Sequence, residues 1–121
     1  MGGMFAGTDS FNKPIGKWNV SNVTNMEMMF NGALKFNQPI GNWDVSNVKV
    51  MTAMFGGGAL KFNQPIGNWD VSNVIFMDEM FYNAESFNQQ IDGWDTSNVK
   101  DMKNMFYGAK SMKNIPDWYK D

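Results

Sequence analysis

The chain is 121 residues long, with ten lysines, no arginine, twelve acidic residues and a net charge of −2, and it contains neither histidine nor cysteine. That length suits one domain, residues 1–121. The missing residue types exclude disulfides, thiolate and histidine chemistry and the usual zinc and copper ligand sets; without arginine or a basic excess, no nucleic-acid partner is expected.

The opening "MGGMFAGTDS" carries no basic and apolar export signal, and no apolar run reaches the roughly 18 residues of a membrane span, so no membrane insertion is expected. Within it, "MFAGTDS" matches the end of a unit that recurs along the chain, as in "MFNGALK". The phrase "GALKFNQPIGNWDVSNV" stands at 32–48 and again at 58–74. Aligned on it, the chain divides into a fractional repeat 1–10, full repeats 11–35, 36–61, 62–86 and 87–111, and a fractional repeat 112–121 that places Ile115 and Trp118 in register. The second full unit is one residue longer because of an extra glycine in "GGG" at 56–58, where a turn absorbs it.

Each unit begins with apolar residues spaced as Ile40, Trp43, Val45 and Val48, the I-x-x-W-x-V-x-x-V form of a leucine-rich-repeat strand. In a strand, Trp43 and Val45 point inward and Asn42, Asp44 and Ser46 outward. One such strand per unit implies a parallel sheet, with Pro39 and Pro65 just ahead of it because proline has no ladder donor. Val48, Met51, Met54 and Phe55 then follow at helical spacing, which predicts a short helix or 3₁₀ turn capped at its start by Ser46-Asn47. Gly32, Asn83 and Gly108 suit a left-handed C-terminal cap. The predicted fold class is an α/β repeat, a leucine-rich-repeat-like solenoid with one short parallel strand and one short helix or 3₁₀ turn per ~25-residue unit.

These residues resemble the BspA-like branch of leucine-rich-repeat surface proteins, and especially the "FNQPIGNWDVSNVTNMxxMFxGA" repeat of mycoplasma-type surface lipoproteins. The resemblance covers almost the whole chain. It implies a right-handed solenoid at the cell surface or in the extracellular space, acting in adhesion or protein binding, with no catalytic residues and no cofactor. A surface lipoprotein begins with a signal peptide and a lipid-bearing cysteine, so the chain reads as a fragment, a degenerate copy or an expressed piece of a longer protein.

Repetition decides how the candidate residues are read. The row Trp18, Trp43, Trp69, Trp94 has two readings, a core ladder or an exposed aromatic platform for carbohydrate. Met26, Met29, Met51, Met54, Met77, Met80, Met102 and Met105 fall on the inward helical face and read as core filler. The rows Asn12, Asn37, Asn63, Asn88 and Asn22, Asn47, Asn73, Asn98 read as ladders that satisfy backbone groups. The outward row Asn19, Asp44, Asp70, Asp95 has no loop with a calcium signature, so no metal is assigned to it. Equivalent carboxylates in equivalent surroundings cannot divide acid and base roles, so the protein is not expected to be an enzyme. The predicted partner-binding surface is Lys17, Asn19, Ser21, Asn42, Asp44, Ser46, Asn68, Asp70, Ser72, Asp95 and Ser97, facing a protein or other cell-surface macromolecule. With no polar capping module in view, the two ends expose edges and apolar side chains, a route to end-to-end homo-oligomers.

Overall fold

A computed structural model describes residues 1–120, and its backbone is built from turns. In Met26–Ala33 the N–H of Met29 bonds the Met26 carbonyl at 3.2 Å, Asn31 bonds Met28 at 3.1 Å, and Ala33 bonds Phe30 at 3.0 Å. The intervening N–H groups leave the segment altogether. Met26, Met28, Phe30 and Gly32 donate to the carbonyls of Val50, Thr52, Met54 and Gly56 in the next unit, at 2.9, 2.9, 2.9 and 3.2 Å. An α-helix commits every interior N–H to its own chain four residues back, so this alternation is incompatible with one. It also needs left-handed residues, and each unit supplies two: Met28 (φ 55°) and Gly32 (φ 71°), with Ala53, Glu79 and Asn104 repeating the first. Gly32, Asn83 (φ 57°) and Gly108 (φ 74°) therefore have the expected backbone sign without a helix to cap.

The α/β expectation is thus overturned. No helix occurs among the described residues, and β pairing is confined to isolated parallel bridges joining Asn25 to Val50, Val50 to Phe76, and Phe76 to Asp101. The physical reason is spacing. Rings in equivalent positions of neighbouring coils lie 5.5 Å apart at Phe30–Phe55, 5.6 Å at Phe55–Phe81 and 6.5 Å at Trp43–Trp69. Packed helices need about 8–10 Å between axes. Coils held this close on both sides leave no room for a helix. The apolar spacing that suggested one is equally the spacing of consecutive turns.

The expected strand Ile40–Val48 is likewise two turns, closed by Trp43 N–H to Ile40 at 3.1 Å and Val48 N–H to Val45 at 2.9 Å. Side chains here replace a backbone ladder. The Trp43 indole donates to the Ile15 carbonyl at 3.1 Å, and the Asn47 amide donates to the Ser21 carbonyl at 2.7 Å. Both bonds recur at Trp69 and Trp94 and at Asn73 and Asn98. The other asparagine row also acts as a ladder: Asn37 N–H donates to Asn12 Oδ1, and Asn63 and Asn88 repeat the bond. Gly41 marks a close approach of coil backbones, since a Cβ there would stand 2.5 Å from the Pro65 carbonyl oxygen.

Inside, two phenylalanine rows run along the stack. Phe5, Phe30, Phe55, Phe81 and Phe106 form one, Phe11, Phe36, Phe62 and Phe87 the other, and within a coil the paired rings stack at 4.0–4.2 Å. Seven of the eight repeating methionines are buried with them, Met102 being only partly so. The extra residue is absorbed at Gly58 (φ 110°), after which the ladder resumes as Met51 to Phe76 and Met77 to Asp101. In the last coil the register differs from the expected one: Pro116 takes the buried place of Ile91, and Ile115 is exposed. Tyr119 N–H to Pro116 accordingly repeats Trp94 N–H to Ile91.

Candidate functional site

The outward row is built from one small motif used four times. Asp44 Oδ1 accepts the Ser46 N–H at 3.0 Å and the Ser46 hydroxyl at 2.6 Å. Asp70 with Ser72 and Asp95 with Ser97 do the same at the same distances. Asn19 with Ser21 matches them with a neutral amide oxygen. Such an Asx turn fixes the local backbone and so belongs to the architecture as well as to the surface. The acidic side chains are nonetheless exposed.

The serine hydroxyl, and after it the serine N–H, holds each carboxyl below the ordinary Asp range. For Asp70 the neighbouring charges of Asp44 and Asp95 push the other way and do not overcome those bonds. A lowered folded-state pKa stabilises the fold above the unfolded value of about 3.9, and that contribution disappears as pH falls below it. The D44N/D70N/D95N variant should therefore show a shallower fall of Tm below about pH 4 than the wild type. Identical acid limbs in the two proteins would refute the effect.

Lys17, Asn42 and Asn68 stand apart from the Asx turns. Lys17 and Asn42 border an open groove of about 650 Å³ lined also by Pro14, Pro39, Pro65, Gly16 and Gly41, and Asn68 borders the hollow next to it. The groove continues into that hollow, of about 460 Å³, with Gly67, Asn88, Gln89 and Gln90. Reading the row by strand alternation misses this groove, although its signal is present in the recurring "PIG". Proline projects a ring, and glycine two residues later leaves a depression beside it. Asp95 and Ser97 do not reach either hollow.

The tryptophan row lies inside. Trp43, Trp69 and Trp94 are 3–4% exposed, their rings stacked 6.4–6.5 Å apart and their indole N–H groups used by the stack, while Trp18 in the first coil is 39% exposed. Among the described residues no three acidic side chains gather closely enough to hold a metal ion.

Residues 1–119 match the family described as "Mycoplasma protein of unknown function, DUF285". The chain belongs to this family. The match takes in every coil from Met1 to Tyr119, so the turn stack and its repeated Asx motif are what this DUF285 member presents to solvent. No curated protein and no solved structure matches the chain.

Proposed function

We propose that this DUF285 protein is a non-catalytic protein-binding module, and that its sequence kinship lies with the BspA-like surface repeat proteins, which would place it in adhesion at the cell surface. One observation carries the reading: the same exposed acidic turn recurs at one-coil spacing on a backbone held by hydrogen bonds to both neighbours. A rigid row loses little entropy on binding, and many modest contacts of one sign favour a basic partner. Exposed carboxylates make such recognition weak and salt-sensitive, and repetition of the module strengthens it by avidity. Carbohydrate recognition through tryptophan is not favoured, because Trp43, Trp69 and Trp94 are buried and only the end tryptophans, Trp18 exposed and Trp118 half-buried, reach solvent among the described residues.

The test is binding of a short lysine-rich peptide, followed by fluorescence anisotropy at increasing salt. D44N/D70N/D95N is the informative variant, since Asn19 already forms the same turn with an amide and the fold should be kept. Binding at low salt should weaken several-fold in the variant and with added salt in the wild type. Undiminished binding by the folded triple variant at low salt would move the contact surface elsewhere.

A further inference from the structure

The units break their own pattern in one outward row. Asn25, Val50, Phe76 and Asp101 are vertical neighbours, joined from coil to coil by parallel bridges. Backbone bonds hold the coils together here: Met26, Met51 and Met77 N–H donate to the carbonyls of Val50, Phe76 and Asp101, each at 2.9 Å. The outward side chain is therefore not needed for stacking. In the first and fourth full units it caps its own turn, Asn25 Oδ1 accepting the Glu27 N–H at 2.8 Å and Asp101 Oδ1 the Lys103 N–H at 3.0 Å. Val50 and Phe76 have no side-chain acceptor to offer Thr52 and Asp78 in the same way. The two central units give up that bond and show apolar surface instead, with Phe76 41% exposed and Val50 and Ile75 half-buried beside it.

A scattered exposed apolar residue is ordinary, but losing a turn cap and a hydrophilic surface together gains the fold nothing, and such departures concentrate where a surface has another use. Charge tells what fits there. Lys49 and Lys100 are exposed on either side of Ile75 along the stack, where Ile75 N–H meets the Lys49 carbonyl and Lys100 N–H the Ile75 carbonyl, both at 2.8 Å. Neither lysine is ion-paired among the described residues, whereas Asp78 and Asp101 are already engaged, by the Thr52 hydroxyl and the Lys103 N–H. We propose that Val50, Ile75 and Phe76, with Lys49 and Lys100, form a second binding surface, for a protein segment that presents an apolar side chain flanked by carboxylates. The ring supplies the apolar contact and the lysines orient the segment, so binding depends on the ring and weakens with salt. This surface shares no residue with the acidic row and takes a partner of the opposite charge.

The probe is a fluorescein-labelled peptide of acidic residues around one phenylalanine, compared by anisotropy with the same peptide carrying alanine in its place. The wild type should bind the phenylalanine peptide about fivefold or more tightly than the alanine one. Phe76→Asn should abolish that preference, with Tm equal to or above that of the wild type, because the new amide can cap the Asp78 N–H as Asn25 caps Glu27. Lys49→Gln/Lys100→Gln should weaken binding of both peptides and flatten its salt dependence. Binding of the lysine-rich peptide should be unchanged in Phe76→Asn, so this surface and the acidic row fail separately. Equal binding of the two acidic peptides by the wild type, or binding of neither, overturns the inference, the first because the lysines then attract any polyanion. It is also overturned if Phe76→Asn lowers Tm by several degrees, since the ring then serves the fold, or if the folded variant keeps the preference.

Discussion

Phe55→Ala is expected to cost about 3–5 kcal/mol of unfolding free energy, the largest effect of any single truncation proposed for this protein. The ring is fully buried and touches four others: Phe30 at 5.5 Å, Phe62 at 4.2 Å, Trp69 at 6.4 Å and Phe81 at 5.6 Å. Its loss opens a cavity that the coils cannot close, because their separation is set by hydrogen bonds on both sides. Phe11→Ala removes the same group from the first coil, where the ring is only partly buried and stacks on Phe5 and Phe36. It should cost clearly less. Urea denaturation of both variants measures the difference, and equal losses would mean that the stack does not hold its centre more tightly than its end.

Trp69→Phe should lower stability by about 2–3 kcal/mol, from two sources. The smaller ring leaves a gap between Trp43 and Trp94. The lost indole N–H also removes one of the two bonds to the Ile40 carbonyl, which accepts it at 3.0 Å and keeps the Trp43 N–H at 3.1 Å, a loss of about 0.5–1.5 kcal/mol. The control is Trp18→Phe, at a 39% exposed side chain whose indole makes no hydrogen bond among the described residues. That change should stay within about 1 kcal/mol. If thermal denaturation shows the two variants alike, the indole-to-carbonyl ladder is not what ties the coils together on this side.

The sites of these changes show how far the residues could be read unaided. Phe55 and Met54 are assigned inward from spacing alone, while Trp69 belongs to a row with a core and an exposed reading; all three are buried, because burial follows from which residues recur together, whatever backbone carries them. The asparagine rows are legible for a similar reason: an amide repeated in every unit needs a repeated backbone partner, and the neighbouring coil supplies it. The Pro-Gly groove is harder to see, since it arises between coils and no single unit contains it.

The sequence by itself determined the unit, its boundaries at the inserted glycine, the inward set of side chains and the exposed Asp-Ser pairs, for all of these are properties of repeated local chemistry. Only the tertiary structure decided the backbone. Spacing at i, i+3 and i+7 is shared by a helix and by consecutive turns, and the choice depends on where the N–H groups of Met26, Met28, Phe30 and Gly32 find carbonyls. They find them one coil away because aromatic rings stack the coils at 5.5–6.5 Å, closer than helices can pack. On the opposite side, the Trp43 indole and Asn47 amide took the bonds a parallel sheet would have used. The decisive quantity was therefore the distance between repeats, which no single repeat encodes.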